Sequence, residues 1–170
     1  MNFICANKAD LPATMQTIAA CVAKLHGIGI DQWDEEYPDK CVIEDAIESR
    51  SLYVCKQKRK ILLAAGLDTL QPKEYSECQW HSAEPALVVH HLCVHPAVWR
   101  RGFARLFMEF AEAHARANGL DSVRLDAYLH NPAAISLYRA IGYSEPAEVV
   151  FPRKGLHFIC FEKSVELNAS

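Results

Sequence analysis

What the 170-residue sequence lacks narrows its chemistry first. It has no apolar run near the ~20 residues that a membrane-spanning helix needs. Its opening residues, MNFICANKAD, lack the basic-then-apolar layout of a secretion signal. The expectation is a cytoplasmic protein with no membrane partner. There is no GxxxxGK[ST] loop and no GxGxxG, which argues against the common nucleotide-binding α/β designs. No repeat, low-complexity tract or linker divides the chain, so 1–170 reads as one domain. The net charge of −3 gives no general nucleic-acid footprint, although Lys56–Lys60 and Arg100–Arg105 are local basic clusters. Cysteine is present seven times, at 5, 21, 41, 55, 78, 93 and 160, yet without a CxxC pair or a Cys–His ligand spacing. These cysteines read as small core residues in a reducing compartment, with no metal, disulfide framework or activated nucleophile expected.

What is present looks globular: 51% hydrophobic and 23% charged residues. A chain of this length buries about two-thirds of its unfolded surface. A short strand is expected within 2–6, then a helix from Leu11 to His26 with Asp10 as N-cap and Pro12 early. Leu11, Met15, Ile18, Val22 and Leu25 form its stripe. Gly27 to Ile30 end that helix and open the loop GIDQWDEEYPDK. In it Trp33 and Tyr37 stand among Asp31, Asp34, Glu35 and Glu36. Two readings stay open: the aromatics staple the loop to the core, or they wall a pocket whose acidic rim favours an amine. A second helix is expected over Asp39 to Ser49. Strands at 51–55 and 61–67 follow, joined as a hairpin across the charged tip Lys56–Lys60. Asp68 to Pro85 reads as a loop long enough to border a substrate site.

The stretch 86–118 organises the rest. Ala86 to Val94 is Val- and Leu-rich and reads as a buried strand that His95 and Pro96 end. Trp99 to Ala104 then lead into a helix with Phe103, Leu106, Phe107, Phe110 and His114 at helical spacing. Strand, basic turn and helix aim backbone N–H groups and the positive end of a helix dipole at one point, where a phosphate fits. Asn118-Gly119 stop this helix, and SVRLDA (122–127) alternates as a strand. Asn131 caps a short helix with Pro132 at its first position and Ala134, Ile135, Leu137, Tyr138 and Ile141 on its apolar face. Leu156 to Lys163 is the last strand. The order β-α-α-β-β-β-α-β-α-β-β describes one α/β domain with a mixed sheet.

HLCVHPAVWRRGFARLF (91–107) and NPAAISLYRAIGY (131–143) together resemble two motifs of the GNAT superfamily of acetyl-CoA-dependent N-acetyltransferases. The resemblance implies a mixed, mostly antiparallel sheet flanked by helices, with a splayed central strand. It implies acetyl transfer from acetyl-CoA to a primary amine by direct attack in a ternary complex, without a metal. It also implies that the backbone of Leu92, Cys93 and Val94 pairs with the pantetheine arm of coenzyme A. The amides of Arg100, Arg101, Gly102, Phe103 and Ala104 would hold the pyrophosphate, and Asn131 would touch the cofactor. Trp99 departs from the motif, which usually has Gln or Arg there, so binding falls on backbone and on the Arg100 and Arg101 side chains.

Tyr138 matches the family tyrosine that protonates the leaving thiolate, a role a neutral phenol suits. For the base, His90 resembles a strand histidine of arylalkylamine N-acetyltransferases. In a regular pleat His90 and His91 face opposite ways, so one of them at most faces the site, and His90 is preferred. Where other members have a Glu near this strand, Val88 stands here; Glu84 would reach only from an inward-folded loop. Trp33 and Tyr37 are the substrate-side candidates. The acceptor is expected to be a small-molecule amine in preference to a protein, and a homodimer would be ordinary for the family. The competing reading is a non-catalytic acyl-CoA-binding protein of the same fold.

Overall fold

A computed structural model describes residues 1–83 and 85–165. Glu84, the alternative base, therefore lies outside the described residues. The strands are β1 (Ile4–Cys5), β2 (Leu52–Gln57), β3 (Lys60–Asp68), β4 (Leu87–Val94), β5 (Ser122–Tyr128), β6 (Ser144–Phe151) and β7 (Leu156–Ser164). The helices are α1 (Leu11–His26), α2 (Lys40–Glu48), α3 (Phe103–Ala117) and α4 (Pro132–Ala140). Their order is the one the hydrophobic periodicity predicts. The strands form one mixed sheet in the order β1-β2-β3-β4-β5-β7-β6. The pairs β1–β2, β2–β3, β5–β7 and β6–β7 are antiparallel. β4 runs parallel to β5, and among the described residues that ladder takes in Leu87↔Val123 and Val88↔Arg124.

The chain clusters into two compact units, Met1–Leu67 with His90–Met108, and Asp68–Val89 with the residues from Glu109 onward. Their boundaries fall inside β3, β4 and α3, not in a linker.

In the first unit the helical path into α1 begins one turn earlier than the sequence suggests. Asn7 accepts from the Ala9 amide at 3.0 Å, and the Asp10 carboxylate turns back to the Asn7 amide at 3.1 Å. Asp10 already has helical angles and makes no cap bond to α1; it pairs with Lys56 at 2.9 Å instead. Asp10 thus stands at the N-cap position of α1, as expected, but its carboxylate serves the Asn7 box and Lys56 and not an α1 amide. α1 buries Thr14, Thr17, Ile18, Cys21 and Leu25. The two hydroxyls can be buried because each donates to a carbonyl, Thr14 to Asp10 at 3.0 Å and Thr17 to Ile61 at 2.8 Å. Asp39 caps α2 by accepting from the Val42 amide at 2.9 Å, and Ile43 and Ile47 face inward. The β2–β3 hairpin turns on Lys58, which has a φ of 57°.

α3 is rotated from expectation. Its buried residues are Phe107, Met108, Ala111, Glu112 and Ala115, whereas Leu106 is 39% exposed. Phe107, Met108, Ala111 and Ala115 are all fully enclosed, so small alanines share the covered face equally with bulky side chains.

The second unit buries β5 almost end to end, Arg124 included at 0% exposure. The alternation of SVRLDA predicts one face in the core and one in solvent. Instead the guanidinium is compensated in place. Its Nε donates to Glu162 at 3.0 Å, Nη1 to Gln71 at 2.9 Å and Nη2 to the Ser82 carbonyl at 2.7 Å. The Trp80 ring lies 4.4 Å from its centre. Glu162 also accepts from the His81 amide at 2.7 Å. A buried charge persists only with such pairing. Residues 71–82 are thereby tied to β5 and β7, and Tyr75 adds a bond to Asp126 at 2.8 Å and packs with Val88, Val149 and Cys160.

Candidate active site

Two strained turns bracket the functional part of the first unit. The first is in β4. His91 has a φ of 53°, in the left-handed region that costs an L-residue about 1–2 kcal/mol. Regular alternation fails there: the His90 and His91 rings lie 6.0 Å apart and 34° from parallel. The expectation that the pleat sends them to opposite faces is therefore corrected; the reversal of φ at His91 is the cause. Gly66 of β3 makes room for this strand, since a Cβ there would stand 3.1 Å from the Cβ of His90.

His91 has a specific partner. The Tyr37 hydroxyl lies 2.6 Å from its Nε2, with the rings edge to face at 5.2 Å. Tyr37 is presented by a shaped loop. Asp34 accepts from the amides of Glu36 at 2.9 Å and Tyr37 at 3.1 Å, an Asx turn, and its own amide donates to the Tyr37 carbonyl at 3.0 Å. Asp34 is thus occupied with the loop's own geometry; Asp31, Glu35 and Glu36 lie at the surface. Trp33 is buried, 8% exposed, and its carbonyl lies 2.7 Å from Nε2 of His26. It anchors the loop; half-buried Tyr37 is the aromatic that meets the histidine.

The second turn follows β4. Cys93 is buried, and its thiol is pushed well up by its Cys21 partner and by desolvation, so it stays protonated. Val94 ends the strand with its carbonyl accepting from Trp99 Nε1 at 2.6 Å. Trp99 thus has a structural role, because its indole folds back and fixes the turn. Arg100 (φ 60°) and Gly102 (φ 80°) are left-handed, and the side chains of Arg100 and Arg101 are both exposed. The Gly102 carbonyl accepts from the Leu106 amide at 3.0 Å, opening α3. Phe103 and Ala104 fall in its first turn, whose amides have no partner within a helix.

The second unit carries Asn131 and Tyr138. Asn131 accepts from the Ala134 amide at 3.2 Å and Pro132 sits in the first turn, so α4 starts at a defined point. Tyr138 is buried against Phe161 at 5.2 Å and Tyr143 at 6.1 Å between ring centres. Burial, then the Asp126 charge, raise its phenol well above the usual tyrosine range, so it holds its proton.

Sequence reasoning passed over His91 as a partner of Tyr37, and no local signal marks a positive φ in an apolar strand. It also left Trp99 without a role. Among the described residues no group of three or more His, Cys, Asp or Glu could hold a metal ion. No helix among them is long and apolar enough to cross a membrane.

Residues 22–143 match the family model described as Acetyltransferase (GNAT) family. Solved structures share the fold. A GNAT-family acetyltransferase of Streptococcus agalactiae superposes with a TM-score of 0.83 at 21% identity, covering 97% of this chain and 95% of its own. The Escherichia coli ribosomal-protein-S18-alanine N-acetyltransferase gives 0.71 at 14% identity, covering 99% and 96%. The Salmonella typhimurium protein yncA, solved with its cofactor acetyl-CoA, gives 0.67 at 18% identity, covering 99% and 96%. No curated protein sequence matches the chain at a significant level.

Proposed function

The chain belongs to the acetyltransferase (GNAT) family, and from that membership we propose that it moves the acetyl group of acetyl-CoA to a primary amine by direct attack in a ternary complex. The observation that carries this reading is the turn opening α3. Left-handed Arg100 and Gly102 and the first amides of the helix make a cradle of N–H donors at a positive dipole end, which fits a pyrophosphate.

The amides of Arg100, Arg101, Gly102, Phe103 and Ala104 hold the phosphates there, with the two exposed guanidinium groups adding charge-assisted bonds. Leu92, Cys93 and Val94 offer backbone groups to the pantetheine arm. The Val94 carbonyl already accepts from Trp99. An N–H at Cys93 or Val94 holds the oxyanion as the amine attacks. Asn131 meets the cofactor at the start of α4.

Tyr138 is the general acid. Its raised pKa does not disqualify it, because a thiolate forming against it shares the desolvation and becomes more basic too. The attacking amine loses its proton to a β4 imidazole, for which His90 is the sequence candidate. Tyr37 borders the acceptor, and Trp33 supports it from beneath. The acceptor is a small amine, drawn by the exposed acids of the 31–36 loop. A protein N-terminus competes for that role, since the Escherichia coli neighbour is a ribosomal-protein alanine N-acetyltransferase. Unpaired cysteines suit a reducing, cytoplasmic setting.

Calorimetric titration of acetyl-CoA, with free thiol followed against small amines and against peptides with free N-termini, tests this. The expected result is binding, and thiol release with small amines. Turnover with peptides alone moves the acceptor to protein. Binding without turnover leaves an acyl-CoA-binding protein, and no binding overturns both.

A further inference from the structure

Resting on the acetyl-transfer reading, the geometry points to His91, not His90, as the terminal proton acceptor, reached through the hydroxyl of Tyr37. Three observations converge. The Tyr37 hydroxyl and His91 Nε2 are 2.6 Å apart, within the range for direct proton transfer along a hydrogen bond. The pair joins residues 54 apart in sequence, so neither is there to satisfy a local turn. And His91 holds a left-handed backbone in the middle of a strand, at φ 53°, strain of the kind that persists where surrounding structure dictates a side chain's aim. With His91 turned out of the pleat, its ring lies beside His90 and against Tyr37.

In the step this arrangement supports, the imidazole starts neutral with its proton on Nδ1 and Nε2 accepting from Tyr37. The amine nitrogen forms its bond to the thioester carbonyl carbon and becomes cationic. One N–H proton passes to the Tyr37 oxygen while the Tyr37 proton passes to Nε2, leaving a neutral nitrogen on the tetrahedral oxyanion and an imidazolium; the amide forms when that oxyanion collapses. The C–S bond breaks, and the thiolate takes the proton that Tyr138 supplies. The imidazolium then gives its proton to water and the Tyr138 phenolate takes one back from water, so both groups are restored and the net transfer is from amine to thiol. Tyr37 touches the substrate; His91 acts as the base through it. The Trp33 anchor and the Asp34 turn hold the hydroxyl in register.

The experiment separates a relay from a mere strap between loop and strand. Tyr37→Phe and His91→Gln are each expected to lower kcat about 100-fold, with little change in acetyl-CoA affinity. Gln keeps a hydrogen-bonding group near Nε2 but takes no proton. His91→Gly suits the left-handed backbone and opens a space for added imidazoles, which are expected to restore turnover in proportion to their basicity. Thermal unfolding and acetyl-CoA titration of each variant check that it is folded, and Tyr37→Phe stands alone if the β4 variants are not. Full turnover in Tyr37→Phe, or rescue independent of imidazole basicity, overturns the relay while leaving acetyl transfer standing. A loss of turnover in His90→Gln but not in His91→Gln returns the role to His90. A wild-type protein that turns over no amine sinks the transfer reading itself, and the relay with it.

Discussion

At the scale of single residues, Trp99 changes meaning most. By motif it is a departure, a ring where a polar side chain is usual. In the fold its indole N–H donates to the last carbonyl of β4 at 2.6 Å, so it braces the turn that leads to Arg100–Ala104. Trp99→Phe keeps the ring and leaves that carbonyl unmet. It is expected to cost about 1 kcal/mol of stability and to weaken coenzyme A binding several-fold by loosening the amide cradle. Denaturant titration and calorimetry measure the two; unchanged affinity would separate the brace from the cradle. Gly66 is a similar case. No motif marks it, yet a methyl there would stand 3.1 Å from His90 Cβ, and neither atom sits on a flexible arm.

At the scale of elements, the buried Arg124–Glu162 pair joins β5 and β7 to the 71–82 segment. Both side chains are fully enclosed, 0% and 1% exposed. Arg124→Met strands a buried carboxylate and is expected to cost about 3–5 kcal/mol, whereas Arg124→Met with Glu162→Met recovers most of that. Urea unfolding of the two variants decides; equal losses would mean that the charge pair is incidental. The helix ends behave as local rules predict. Asn131 caps where the sequence puts it, and Asp39, expected as the first residue of its helix, stands just before it as the cap. Asp10 holds the N-cap position of α1 but makes no capping bond there, because its carboxylate closes a box with Asn7 three residues earlier. Of the stripe expected on α3 only Phe107 is buried; the covered face is turned to take in Met108, Ala111, Glu112 and Ala115.

At the scale of the whole molecule, the protein carries buried tyrosines whose phenols are held protonated. Burial raises Tyr75, Tyr138 and Tyr143, with Asp126 adding to the first two and Glu112 to the third. Their folded pKa values lie above the unfolded value near about 10. Folding therefore retains protons that the unfolded chain releases. The stability they contribute is fully present below about pH 10 and falls as pH rises toward the folded values. Denaturant midpoints are expected to decline from about pH 10 upward. Tyr138→Phe should flatten that decline; a midpoint unaffected by alkali would contradict the protonated burial.

Read as sequence, the chain already determines its order of strands and helices, the Asn131 cap and the Asn118-Gly119 stop, and its family, since periodicity, capping chemistry and short motifs act over a few neighbouring residues. The mixed sheet with a parallel β4–β5 contact follows from that order. Other features exist only once distant segments meet. Tyr37 finds His91 across 54 residues, and Arg124 finds Glu162 across 38. Whether a strand histidine keeps the pleat or turns left-handed depends on what stands beside it, and so does whether an alternating strand has a wet face. No local pattern encodes those neighbours; packing decides them.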